Sequence, residues 1–189
     1  MQRPIHEIHG LKLFETRSFP DERGVLLQAF VRSDLARRGV PADFRQAIQS
    51  RSHRGVVRGL HFQWNPPQGK LVRCVWGRIY DAVLDIRHGS PTLGDHATVE
   101  LSAENNLVLW VPPGLAHGFM SLEDNTIVHY LCTEEWNREG EGGILWNDPA
   151  LSIAWPNPAA LVSAKDQRNP SLGEWLCDPR SRSFRYPEG

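Results

Sequence analysis

Proline and glycine interrupt this chain along its whole length. The 14 prolines and 16 glycines are dispersed among 189 residues instead of being gathered in one linker. Between them lie short apolar runs that alternate. Residues 70–87 read KLVRCVWGRIYDAVLDIR, and Gly77 splits them into two strands. Beyond it Tyr80, Ala82, Leu84 and Ile86 share one face, and Asp81, Val83 and Asp85 share the other. Acids at alternate positions mark a solvated face in an open sheet and a polar cavity in a closed barrel. Val25–Val31, Phe44–Ser50, Thr98–Leu101, Leu107–Val111 and Asn125–Cys132 read as further strands, with Ile144–Pro149 as strand and turn and Leu151–Trp155 as a last short strand. Within Asn125–Cys132, Tyr130 falls opposite His129, which is expected to be structural. One short helix is predicted, with Ser33 at its cap, Asp34 in its first turn and Gly39 beyond its end. Many short strands, frequent turns and short peripheral helix predict an all-β sandwich or barrel, most simply a jelly roll.

The length suits a single domain over 1–189, with an early arm over 1–30 and a Pro/Arg-rich tail over 167–189. Lys and Arg total 21 against 22 Asp and Glu, which leaves no electrostatic footprint for nucleic acid. A small local basic cluster for a phosphate group is compatible with that balance. Cys74, Cys132 and Cys177 show no CxxC spacing, which argues against a disulfide framework and a zinc cluster. The N-terminus lacks the apolar run of a signal peptide, and no stretch approaches the roughly 18 consecutive apolar residues of a membrane span. The expectation is a cytoplasmic protein with no membrane partner.

Chemistry concentrates in residues 57–70, VRGLHFQWNPPQGK. Arg58, His61, Gln63, Gln68 and Lys70 crowd a segment that otherwise reads as a buried strand. Asn65-Pro66-Pro67 ends that strand, because proline cannot donate to a ladder and restricts its predecessor. His61 shares a face with Val57 and Gln63 unless Gly59 introduces a bulge. A lone strand histidine is usually just a hydrogen-bonded side chain; the neighbours make this one a candidate. Earlier, Phe19-Pro-Asp-Glu-Arg23-Gly24 marks a turn, where Arg23 suits either a solvated hairpin tip or a residue reaching an anion.

The segments VVRGLHFQ, QGKLVRCVWGRIYDAVLDIRHGSPTLG, LSAENN, VPPGLAHGF, GILWNDPALSIAWP and SAKD together resemble the dTDP-4-dehydrorhamnose 3,5-epimerases, over residues 11–172. The resemblance implies a cupin-type jelly-roll barrel, a nucleotide-diphosphate sugar as substrate, a homodimer, and no metal or cofactor. It implies that His61 is the catalytic base, Asp166 its paired carboxylate and Tyr130 the acid on the far side of the sugar. Lys70 and His117 match residues around the sugar oxygens. Arg58, Lys165 and Glu141 match substrate-binding positions, and Phe19 and Trp136 match aromatic residues flanking the nucleotide base. Arg23 matches a residue that the arm often delivers to the partner subunit's site. Two positions depart from the family pattern. Gln28 stands where a Glu is common, and Gln46-Ala47-Ile48 stands where Gln-x-Asn is common. Both belong to substrate binding, so the nucleotide, the sugar and the number of centres inverted stay open. A single-centre epimerase on a related 4-keto sugar is the nearest alternative.

This chemistry needs these residue types. The protons on carbons 3 and 5 are α to one carbonyl, and inversion requires a base on one face and an acid on the other. Imidazole is the side chain whose ordinary titration lies closest to neutral pH. Lysine can hold a developing oxyanion, where a single preorganised donor is typically worth about 3 to 4 kcal/mol. Arginine presents a planar fork to diphosphate oxygens. Two other classes compete. A metal-dependent cupin oxygenase would need a His-x-His pair, and His61 is followed by Phe62 and Gln63. A non-catalytic sugar-nucleotide module would not need both base and acid.

Overall fold

A computed structural model of the chain describes residues 1–186. After a 3-10 turn at Ile5–Glu7 come β1 (Lys12–Glu15), β2 (Ser18–Asp21) and β3 (Gly24–Leu27), then the helix α1 (Arg32–Arg37). The main strands follow: β4 (Gln46–Ser52), β5 (Val56–Gln63), β6 (Lys70–Trp76), β7 (Arg78–Asp85), β8 (His96–Ser102), β9 (Leu107–Val111), β10 (Leu115–Ser121) and β11 (Thr126–Cys132). Two short strands, β12 (Glu141–Gly143) and β13 (Leu161–Val162), precede the helix α2 (Leu172–Cys177). One sheet runs in the order β1-β9-β6-β11-β4, and the other runs β12-β5-β10-β7-β8 with β13 added parallel to β5. β2 and β3 form a separate hairpin. The two sheets face each other as a jelly-roll barrel, as expected for an all-β chain so heavily punctuated.

Three apolar clusters fix the layers. Val72, Leu109 and Val128 of the first sheet meet Val83, Leu101 and Phe119 of the second between the sheets. Behind the second sheet, Leu60, Phe62, Leu84 and Ile86 are covered by Ile144, Trp175 and Phe184. Outside the first sheet, Leu71, Val108 and Trp110 are covered by Leu35 and Val40. Both faces of β7 are therefore inside the molecule, and its acids fit neither reading, because Asp81 is spent on His117 and Asp85 on Arg87, Ser90 and Thr92. Asp81 and Asp85 are fully buried, and neither lies on a solvated face.

Several expectations are corrected. The strand expected over 25–31 stops at Leu27. α1 begins at Arg32, so Ser33 lies inside the first turn and caps nothing. β4 starts at Gln46 because Phe44 turns out of the ladder to pack near Trp110. Residues 144–155 form no strand; Ile144 and Leu151 are buried as irregular chain against the second sheet. The first half of the expected arm is tied down, since Ile8 and Leu11 enter the core and β1 pairs with β9. Only the β2–β3 hairpin stands apart. The expected tail contains α2, which carries a capping box between Ser171 and Glu174. The last three residues of that tail, 187–189, lie outside the described residues. No helix among the described residues is long and apolar enough to cross a membrane.

Candidate active site

The site begins with an irregularity in β5. Against β10, Arg58 pairs with Phe119 and His61 pairs with His117, so Gly118 alone opposes Gly59 and Leu60. This is a bulge, and it repeats the same face after an odd number of residues. Arg58 and His61 consequently both border one cavity of about 550 Å³, while Leu60 and Phe62 join the cluster behind the sheet. Only glycine fits position 59. Its φ is +139°, and a Cβ there would sit 2.5 Å from the Gly118 Cα.

Asp166 reaches the bulge from the 3-10 turn at Asp166–Arg168. Its Oδ1 lies 2.6 Å from His61 Nε2, and Asp166 is 3% exposed. Burial alone would raise the Asp166 pKa. The hydrogen bond and charge of His61, the Gly59 N–H and the Ser163 hydroxyl outweigh it and hold the carboxyl below its ordinary value. An ionised Asp166 accepts a hydrogen bond from Nε2–H, the tautomer that leaves the lone pair on Nδ1. In that tautomer the imidazole is oriented as a base.

The facing wall comes from the other sheet. Tyr130, on β11, borders the same cavity. Burial raises its pKa; Ser50 and Arg58 oppose the rise, and Asp81 and Cys132 add to it. The phenol therefore keeps its proton at neutral pH. Lys70, at the start of β6, also borders the cavity. Burial pushes its pKa down, the Cys132 and Glu141 charges partly offset that, and Lys165 adds to the fall. His117 is placed between the walls. Its Nε2 lies 2.8 Å from Asp81 Oδ2, and its ring meets Tyr130 edge-on at 6.1 Å. Asp81 is raised by burial, with His117 opposing.

The rim is charged and aromatic. Arg58 Nε donates to Ser52 Oγ at 3.0 Å, and its guanidinium also reaches the Arg51 carbonyl at 3.4 Å. Lys165 Nζ lies 2.6 Å from Glu141 Oε2. Burial would raise Glu141, but Lys165, the Trp136 indole and His61 together hold it below its ordinary value. Trp136 borders the cavity and is 53% exposed. Among the described residues, no group of three or more His, Cys, Asp or Glu side chains is placed to hold a metal ion.

Residues 6–174 match the family described as dTDP-4-dehydrorhamnose 3,5-epimerase. The chain belongs to that family. A dTDP-4-dehydrorhamnose 3,5-epimerase of Pseudomonas aeruginosa is 43% identical over 169 residues, spanning 88% of this chain and 93% of the relative. A dTDP-6-deoxy-D-glucose-3,5-epimerase of Legionella pneumophila, solved in complex with dTDP-4-keto-L-rhamnose, superposes with a TM-score of 0.89 at 37% identity, covering 100% of this chain and 98% of that one. A 3'-monoepimerase of Streptomyces bikiniensis, solved with dTDP-quinovose, gives a TM-score of 0.82 at 34% identity, covering 87% and 84%.

In this epimerase the fold brings nine of the thirteen expected site residues to one cavity: His61, Tyr130, Asp166, Lys70, Arg58, His117, Trp136, Glu141 and Lys165. Four do not border it. Gln46 is spent on the Trp136 main chain, accepting its N–H at 2.9 Å. Phe19 and Arg23 ride on the hairpin, where Arg23 pairs with Asp21 at 2.5 Å. Gln28 borders a separate cavity beside α1. Asp81, which contacts His117, and Ser50, which borders the cavity, were not among the expected site residues. The alternation of β7 signalled Asp81, and Ser50 shares its strand face with Ile48, which was singled out.

Proposed function

We propose that this epimerase inverts carbons 3 and 5 of dTDP-4-dehydro-6-deoxy-D-glucose, giving dTDP-4-dehydro-L-rhamnose. One observation carries the reading: a carboxylate-oriented imidazole on one sheet and a protonated phenol on the other border the same cavity. His61 Nδ1 takes the proton α to the 4-keto group. The electron pair moves onto the carbonyl oxygen, and the Lys70 ammonium stabilises that oxyanion. Tyr130 then donates its phenolic proton to the carbon from the opposite face. Solvent takes the proton from His61 and returns one to Tyr130, and the cycle repeats at the second carbon. Arg58 and Lys165 neutralise the diphosphate, and Trp136 stacks on the base.

The test is incubation with that substrate in deuterated water. Deuterium at both carbons, with inverted product, supports the reading; incorporation at neither sinks it. Incorporation at one carbon alone selects the single-centre reading. His61→Ala should abolish exchange. Tyr130→Phe should retain part of the exchange while losing net inversion, and equal losses in both variants would refute separate roles.

A further inference from the structure

Three glutamines converge on the loop between β11 and β12, and two of them, Gln63 and Gln68, also border the cavity. Gln68 Nε2 donates to the Glu134 carbonyl at 2.7 Å. Gln63 Nε2 donates to the Glu135 carbonyl at 3.1 Å. Gln46 Oε1 accepts the Trp136 N–H at 2.9 Å. Gln63 Oε1 accepts the Asn137 N–H at 2.8 Å. Four consecutive residues thus each have a main-chain group held by a glutamine side chain. The three amides arrive from different places: the start of β4, the end of β5, and the turn into β6.

We infer that these glutamines form a clamp that sets the Trp136 wall of the cavity, with Gln63 as its positioning residue. Trp136 is 53% exposed, so core packing does not fix its indole. Its position comes from its contact with Glu141 and from its main chain, and the main chain is what the amides hold. Gln63 is 2% exposed and uses both amide hydrogens, the second going to the Pro66 carbonyl at 3.0 Å. Its orientation is therefore fully determined. A glutamate there would point an oxygen at two carbonyl oxygens. Gln63 also lies two residues beyond His61 on the same strand face. One stretch of β5 thereby fixes the spacing between the catalytic imidazole and the aromatic wall. The loop then leads to Glu141, which pairs with Lys165, the neighbour of Asp166.

The functional consequence rests on reading Trp136 as the wall for the nucleotide base, and the experiment separates the two claims. Gln63→Leu is compared with wild type by amide exchange, steady-state kinetics and dTDP binding. Exchange of the Trp136 and Asn137 N–H groups should accelerate, at least tenfold at Asn137, as the held groups open locally. KM and the dTDP Kd should rise together by roughly tenfold, with kcat within about threefold, because orientation of the base is lost and proton transfer is not. Unchanged exchange at Trp136 and Asn137 overturns the clamp, and so does a fall in kcat at constant KM. Should Gln63→Leu fail to fold, Gln68→Leu removes a single bond and must move the same readouts in the same direction, by a smaller factor. Trp136→Ala serves as the control for the stacking claim. If it leaves dTDP affinity unchanged while Gln63→Leu still loosens the loop, the stacking reading fails and the clamp holds.

Discussion

Asp166 shows how a single buried group can serve catalysis and stability together. Its carboxyl is held below the ordinary value by His61, the Gly59 N–H and Ser163, against the cost of burial. A depressed folded value means that the charged form favours folding. That contribution is complete above the ordinary unfolded value, near pH 4, and disappears as pH falls through the lower folded value. Asp166→Asn should therefore lose the pH dependence of stability in that acid interval, which urea midpoints taken from pH 2 to 5 would reveal. The same substitution leaves an amide facing Nε2 and favours the wrong tautomer, so kcat should fall by about 10² to 10⁴. His61 and Asp166 were legible in the sequence only as parts of separate motifs, because no local pattern joins residues so far apart. Lys165 alone would read as a surface charge, and its pairing with Glu141 gives it a place at the rim. Gln63 was visible as a polar residue in a buried strand, but its partners in 134–137 depend on a loop whose path no periodicity encodes.

At the level of the element, the bulge in β5 matters most. A regular strand would turn Arg58 away from His61, and Gly59 is the residue that permits the exception. Gly59→Ala would place a methyl 2.5 Å from the Gly118 Cα at a φ of +139°. The expected cost is about 2 to 4 kcal/mol, combining backbone strain and overpacking. Denaturant titration should show it, and in the folded fraction kcat should fall as the two side chains lose their common wall. The long alternating strands were readable because each has one face on the core, and β7 and β11 follow the predicted faces. Residues 144–155 were misread because their apolar side chains cover a sheet without joining one, and composition does not separate these cases. α2 was missed although Ser171 and Glu174 spell a capping box, since six residues carry too little periodicity to stand out.

On the scale of the whole molecule, the β2–β3 hairpin remains unexplained within one chain. Phe19, Val25 and Leu26 on it are 44%, 62% and 70% exposed, and its strands pair only with each other among the described residues. A homodimer in which each hairpin reaches the other subunit's cavity would cover this surface and deliver Arg23. Mixing Arg23→Ala and His61→Ala subunits tests the exchange. Each alone should be impaired, and randomly reassorted dimers should recover about a quarter of wild-type activity, since half are heterodimers with one intact site in two. No recovery would leave the hairpin serving its own chain. The dispersed prolines and glycines made the barrel class legible, but a surface left for a partner has no signature that separates it from an ordinary turn.

The imidazole and the phenol ride on different sheets, so the thickness of the packed layer between them acts as a spacer. Val83, Phe119 and Val128 are shims in this sense, although none bears a reactive atom. Thinning one by a methylene would alter the fit of the hexose between the two rings, and the partition between proton washout and stereochemical inversion would register that small change while the barrel stays folded.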